Sequence, residues 1–485
     1  MPQYHIEGSP LGNAKLGSQI LKSKLLSLLP PEWPQELFPD IQREVKIGER
    51  KVVVLDDDPT GTQTVHDIPV LTTWTVEALI QEFGRKTTAF YILTNSRSLP
   101  LNDARELNKE IGHNLKVVSQ LKGCEFVVIS RSDSTLRGHF PGEIEALAQA
   151  LKEAFDGWLF IPFFLEGGRY TISDIHYVEE NGILTPAGDT EFARDVTFGY
   201  QSSNLCQWIE EKTEGRIAAN DVNSISIEDL RVGGPKQVND KLMNLQRGEI
   251  CVVNAVCYSD LEVLIKALLS AEAQGKKFIY RTAASFVRIR AGIFPRPLLK
   301  RSELDLQKSG GALLIIGSHV PRTTKQMDVL LAQQNMARIE VRVEALLDSK
   351  CQRIEIKRVA KYIDSALQKS RDVVLFTSRA LITGDDPVDT LAIGNKISNG
   401  LVEIIKLISS RPRYILSKGG ITSSDIATGG LNVRRAQVLG QIIPGVPVWK
   451  LGPESRHPGL AYIVFPGNVG EDKALVEVVN KLKYS

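Results

Sequence analysis

The sequence predicts two α/β domains with largely parallel sheets flanked by helices and an active site in the interdomain cleft. Three observations predict it. The chain has 485 residues, too many for one ordinary core. Short apolar runs alternate with helical patterns over most of its length, as in parallel sheets covered on both faces. Polar residues follow strand after strand, and the carboxyl ends of parallel strands are where such folds hold ligands. The expected division is an N-terminal extension (1–45), a first domain (46–295) and a second domain (296–485).

In the extension, Ile20-Leu21, Leu25-Leu26 and Leu28-Leu29 suit a short amphipathic helix packed on the main body. Pro30, Pro31, Pro34 and Pro39 then favour an extended tether. Lys51–Leu55 opens the first domain as a strand. Thr75–Phe83 (helix), Thr88–Thr94 (strand), Leu101–Gln120 (helix), Phe126–Ser130 (strand), Glu143–Ala154 (helix) and Trp158–Pro162 (strand) follow. Residues 166–200, rich in Gly, Asp and aromatics, read as a long ordered loop region. Ile250–Val256, Leu261–Ala273 and Lys276–Tyr280 read as strand, helix and strand, and Gly292–Gly311 as the linker.

The second domain begins with the strand Ala312–Ile316. Helices are expected over Thr323–Gln333, Ala360–Gln368, Pro387–Ile408 and Ala474–Val479. Strands are expected over Ile339–Val343, Asp372–Phe376, Tyr414–Ser417, Val446–Leu451 and Ala461–Phe465. Asp385-Asp386 beside Pro387 suits a cap for the long helix.

Composition narrows the function classes. Hydrophobic residues make up 42% and charged residues 24%, as in soluble globular proteins. The net charge of +2 leaves no electrostatic footprint for nucleic acid. No apolar run reaches membrane-spanning length, so no membrane partner is expected. Residues 1–10 lack the basic-then-apolar pattern of a secretory signal. Cys124, Cys206, Cys251, Cys257 and Cys351 form no CxxC pair, which suits reduced thiols in a cytoplasmic protein. The seven histidines show no ligand spacing, and no residue is assigned to a metal. A homodimer is the base-rate expectation for a soluble enzyme.

The chemistry gathers at strand ends. Asp56-Asp57-Asp58-Pro59-Thr60-Gly61 follows the first strand, where Asp57 or Asp58 can take a proton from a hydroxyl, hold a metal or bond a polyol. Arg97, Arg131 and Arg137 can clamp a carboxylate or phosphate. Acids mixed with arginines suit a substrate bearing both hydroxyls and negative charge; strand-end capping and structural ion pairs are the plainer alternative. Gly167-Gly168-Arg169-Tyr170 offers a further anion contact or a simple turn. In the second domain Gly317-Ser318-His319, Lys418-Gly419-Gly420-Ile421-Thr422 and Gly467-Asn468-Val469-Gly470 are three glycine loops after strands. Glycine lets the backbone approach phosphate oxygens closely. None is a P-loop or a dinucleotide fingerprint.

Two of these segments resemble the four-carbon acid sugar kinase family, which includes D-threonate, D-erythronate and 2-oxo-tetronate kinases. The family opens with D-D-x-T-G, here Asp57-Asp58-Pro59-Thr60-Gly61. Its longer K/R-x-D-S-T-L-R-G signature is matched by Arg131-Ser132-Asp133-Ser134-Thr135-Leu136-Arg137-Gly138. The resemblance runs from about Lys51 to the C-terminus. It implies an N-terminal sugar-acid domain, a C-terminal ATP domain, and phosphorylation of a terminal hydroxyl with ATP and Mg²⁺. Substrate contacts are implied at Asp57 or Asp58, Arg97, Arg131, Ser132, Asp133 and Ser134, to which Arg137 is added as an anion clamp. Position at the strand end makes Asp58 the expected catalytic residue, with Asp57 the rival. Nucleotide contacts are implied at Ser318, Gly419, Gly420, Ile421, Thr422 and Gly467. The chain departs from the family at Asp56, where a small residue is usual, and at Pro59. A noncatalytic sensor of a metabolite or nucleotide is the alternative reading.

Overall fold

The structure is a computed structural model that describes residues 17–332, 336–379, 382, 384 and 387–483. The strands in chain order are β1 (Ile20–Leu21), β2 (Lys51–Asp56), β3 (Pro69–Leu71), β4 (Ala89–Leu93), β5 (Phe126–Arg131) and β6 (Gly157–Ile161). Then come β7 (Arg169–Ile172), β8 (Ile175–Glu180), β9 (Ile183–Pro186), β10 (Asn223–Ile225), β11 (Glu249–Val253), β12 (Phe278–Thr282) and β13 (Leu313–Ile316). β14 (Ala337–Val341), β15 (Val373–Thr377), β16 (Ile415–Lys418), β17 (Arg435–Ile443), β18 (Val446–Leu451) and β19 (Ala461–Phe465) complete the set. The fold is two α/β units. The first comprises residues 1–57, 74–90 and 99–294; the second comprises 58–73, 91–98 and 295–485.

In the first unit β10, β11, β6, β12, β5 and β2 lie side by side, every pair parallel. All six residues of β2 are buried, as a strand covered on both faces requires. Helices Leu101–Lys122, Gly142–Leu151 and Tyr258–Ala273 carry apolar stripes such as Ile111, Leu115 and Val118, fully buried. Each such side chain contributes roughly 1.5–3 kcal/mol on burial.

Residues 166–200 are not mainly loop. They hold an antiparallel sheet, β1-β9-β8-β7. Ser173-Asp174 joins β7 to β8, and Asn181-Gly182 joins β8 to β9, all four residues with positive φ. Two-residue turns of that geometry match the twist of a hairpin. The N-terminal segment docks on this unit. β1 pairs with β9, and Arg231 Nη1 donates to the Pro30 carbonyl at 2.8 Å. The helix expected over 20–29 is only Lys22–Leu26. A longer one, Phe38–Ile47, runs through Pro39, which fits because the first turn needs no donor there.

The second unit has a mixed sheet, β3-β17-β18-β19-β16-β13-β15-β14. β19, β16, β13, β15 and β14 are mutually parallel, whereas β3, β17, β18 and β19 run antiparallel. Residues 58–73 belong here because they are bound here. Trp449 Nε1 donates to Thr62 Oγ1 at 3.0 Å, and Gln63 Nε2 to the Gly445 carbonyl at 3.0 Å. The core packs Leu314, Ile316, Leu416 and Ile463 against Leu475 and Val478 of the C-terminal helix. The helix expected from Ala360 begins at Gln352, and the one expected over Thr323–Gln333 is Pro321–Leu331. Pro387–Leu407 is helical; the Asp385-Asp386 cap lies outside the described residues.

Candidate functional site

In the first unit β2 stops at Asp56, so the acidic triplet straddles a strand end. Arg131, the last residue of the neighbouring β5, is buried with Asp56 and Asp57. Its Nη1 stands 3.1 Å from Asp56 Oδ1 and 3.5 Å from Asp57 Oδ1. Asp56 thereby has a role: it is the nearer counter-ion of a buried guanidinium, and removing one partner of such a pair costs about 3–5 kcal/mol.

The rest of the signature folds around the same strand ends. Arg281 at the end of β12 is buried and donates from Nη1 to Ser132 Oγ at 2.7 Å. Its guanidinium lies over the Phe140 ring at 5.3 Å and the Phe160 ring at 5.7 Å. Asp133 accepts from Arg137 Nε at 2.7 Å and from Thr135 Oγ1, while Arg137 Nη1 stands 3.5 Å from Asp195. Gly138, at φ +126°, packs so that a side-chain carbon would meet Asp57 Oδ2 at 3.3 Å and Arg281 Nη2 at 3.5 Å. Arg281 was not singled out from sequence, although Tyr280-Arg281-Thr282 is one more polar strand end.

The hairpin supports this loop. His176 on β8 is fully buried, and its Nε2 stands 2.7 Å from the Ser134 carbonyl. A carbonyl only accepts, so Nε2 carries the proton and Nδ1 accepts from Thr171 Oγ1 at 3.0 Å. Burial, helped by the charge of Arg169, pushes the imidazole down from 6.5 to about 4. A lowered folded-state value means stability complete above pH 6.5 that drains as pH falls and is gone below about 4. The shift corresponds to about 3 kcal/mol. Urea unfolding should therefore show the gap between the native chain and His176→Gln shrinking by about 2–3 kcal/mol from pH 7.5 to pH 4.5. A pH-independent gap would contradict this. Of Gly167–Tyr170, Arg169 lies over the Phe192 ring, and Tyr170 donates to Glu179 at 2.8 Å.

In the second unit Asp58 caps the 3₁₀ turn Pro59–Thr64, with Oδ1 accepting from Thr60 N at 2.8 Å. Its Oδ2 pairs with Arg97 Nη2 at 2.5 Å. Arg97 is thus brought to Asp58, in the unit that also holds the glycine loops. Gly420 opens the helix Gly420–Asp425 against this carboxylate: a side-chain carbon there would lie 2.0 Å from Asp58 Oδ2. Asn95 Nδ2 reaches Asp425 Oδ1 at 3.5 Å, and burial pushes the Asp425 carboxyl up.

The three glycine loops follow the adjacent strands β19, β16 and β13, and they converge. A side-chain carbon at Gly317 would meet Thr422 Oγ1 at 2.2 Å. One at Gly419, at φ +117°, would lie 3.1 Å from Ser318 Cβ, and one at Gly467 would lie 3.0 Å from Ser318 Oγ. Thr323 Oγ1 donates to the Gly467 carbonyl at 2.9 Å and fixes two of the loops together. The first amides of Gly420–Thr422 open a helix, where no intrahelical acceptor exists. Ile421 is 46% exposed. Arg379, at the end of β15, donates to the Ser318 carbonyl at 2.8 Å and was not singled out from sequence. His319 Nε2 donates to the Ser378 carbonyl at 3.2 Å, so that histidine is a loop anchor.

No group of three metal-ligating side chains occurs among the described residues. No helix among them is long and apolar enough to cross a membrane.

Comparisons with known proteins give two successive domain matches, the first of which includes residues 58–73 and 91–98. Residues 52–290 match the model of a sugar-binding N-terminal domain, and residues 313–475 that of a nucleotide-binding C-terminal domain. The fold is shared with a protein from Salmonella typhimurium LT2 provisionally described as a tRNA synthase. That protein is 17% identical, with a TM-score of 0.62 over 90% of this chain and 100% of that one. It is also shared with Haemophilus influenzae protein HI1011 of family DUF1537, 18% identical, with a TM-score of 0.56 over 89% of this chain and 100% of that one. No curated protein matches the chain in sequence.

Proposed function

From a chain that joins a sugar-binding N-terminal domain to a nucleotide-binding C-terminal domain, in an architecture related to the DUF1537 family, we propose an ATP-dependent kinase. Its acceptor is the terminal hydroxyl of a four-carbon sugar acid: threonate, erythronate or a 2-oxo-tetronate. The observation that carries this reading is the contact of Asp58 with Gly420: a carboxylate suited to a hydroxyl stands against the backbone of a phosphate-type loop.

In this mechanism the sugar-binding residues are Asp57, Arg131, Ser132, Asp133, Ser134 and Arg137, with Arg281 added. The arginines face the acid's negative charge and the carboxylates its hydroxyls. Asp58 accepts the hydrogen bond of the terminal hydroxyl, orients its oxygen and takes its proton as the bond to the γ-phosphorus forms and the bond from that phosphorus to the bridging oxygen breaks, releasing ADP. Arg97 holds Asp58 in one rotamer for that task. Backbone amides of Gly420–Thr422, with Ser318 and Gly467, hold the polyphosphate, while the Gly419 amide is bonded to the Phe465 carbonyl at 2.9 Å. Mg²⁺ bound to the nucleotide supplies neutralisation of phosphate charge. ADP release measured against a panel of tetronates and longer aldonates tests the reading. Turnover dependent on a tetronate is the expected result.

A further inference from the structure

Lys418 closes β16 with its side chain fully buried. Its Nζ donates to the Pro466 carbonyl at 2.6 Å and stands 3.9 Å from the centre of the Phe465 ring. The amine therefore ties two glycine loops together: Gly419 follows Lys418 in the chain, and Gly467 follows its acceptor. An ammonium group brings three donors, whereas this pocket gives it one carbonyl and one ring face. The ring favours the charged form, but loss of hydration is the larger effect.

The neighbouring charges do not redress the balance. From helix Pro321–Leu331 it is Arg322, itself bonded to the Asn468 carbonyl at 2.9 Å, that acts on Lys418, and it repels a second cation. β19 and the turn after it present the Phe465 ring and the Pro466 carbonyl. Helix Gly420–Asp425 brings the carboxylate of Asp425, engaged by Ser398 and Asn95; Asp58, against Gly420, is paired with Arg97, and His319 after β13 is bonded to the Ser378 carbonyl. Burial, and then Arg322, push the Lys418 amine down from 10.5 to about 6.

We propose that Lys418 is a positioning residue that holds the glycine loops as a neutral amine in the nucleotide-free protein and takes up a proton when a polyphosphate settles on those loops. The inference rests on the nucleotide-binding half of the proposed function. A bound polyphosphate supplies, through the residues adjacent to both ends of the amine's hydrogen bond, the negative charge that the pocket lacks. An opposite charge favours the ammonium form. Nucleotide affinity then weakens as pH rises, because binding consumes a proton.

Calorimetric titration with the Mg²⁺ complex of a non-hydrolysable ATP analogue, near pH 8 in buffers of different ionisation enthalpy, reads this directly. The native chain should take up about one proton per nucleotide, and Lys418→Met and Lys418→Arg about none. Affinity of the native chain, followed from about pH 7 to 9, should fall by up to about tenfold per pH unit, a readout that needs no variant. Binding without proton uptake in the native chain, or uptake retained in Lys418→Met, overturns the proposal. Absence of any binding heat overturns the nucleotide-site reading on which it depends.

Discussion

Gly420→Ala is expected to lower turnover by about a thousandfold while leaving the fold intact. The backbone does not forbid alanine, because Gly420 is not among the residues with positive φ. In a helix alanine is favoured over glycine by about 1 kcal/mol. The penalty is local: the new carbon would lie 2.0 Å from Asp58 Oδ2 and 2.8 Å from Asp58 Cγ. Asp58 is short and held at both oxygens, by Thr60 N and by Arg97, so it must leave its place and break those bonds. The thermal midpoint should change little. The double variant Gly420→Ala, Asp58→Ala should be no slower than Asp58→Ala alone, because both changes remove the same carboxylate. Additive losses would mean that Gly420 acts on something other than Asp58.

Asp58→Asn is the second large effect. Asparagine keeps the shape and an oxygen that can accept from Thr60 N, and it loses the charge that faces Arg97 and takes the proton. The kcat should fall by about 10²–10⁴ with KM for the acid little changed, since the missing interaction belongs to the transition state. Circular dichroism and the unfolding midpoint establish that the variant is folded. Full turnover in a folded Asp58→Asn chain removes Asp58 from the reaction. The companion Asp57→Asn should differ in kind. Asp57 is buried beside Arg131, and its loss should act on acid binding and stability.

Much of the fold was legible because parallel strands buried on both faces announce themselves as apolar runs. β2, β13 and β19 stand within a residue or two of where the sequence places them. The antiparallel parts were less legible. Asn181-Gly182 is a strong hairpin signal, but Gly, Asp and aromatic residues around it masked the alternation of β8 and β9. β17 was missed for a related reason: its buried and half-exposed residues alternate, so no apolar run marks it.

The candidate site could be drawn up from the sequence by residue type but not by arrangement. The glycine loops follow β13, β16 and β19, whose ends are neighbours only because of the strand order. Two features were invisible in one dimension. The acidic triplet is divided, Asp56 and Asp57 going with Arg131 and Asp58 with Arg97, because β2 ends at Asp56 and the next turn is bound by Trp449 and Gln63 contacts. Lys418 reads as one more loop lysine until its complete burial is known.

The central claim is phosphoryl transfer to a four-carbon acid. The direct measurement is phosphorus NMR of the products when the chain is incubated with ATP, Mg²⁺ and each tetronate in turn. ADP is expected and, one for one, a phosphomonoester on the terminal carbon of at least one of them. Nucleotide and acid that both bind, with no ADP formed from any acid in the panel, would contradict it and make the chain a sensor.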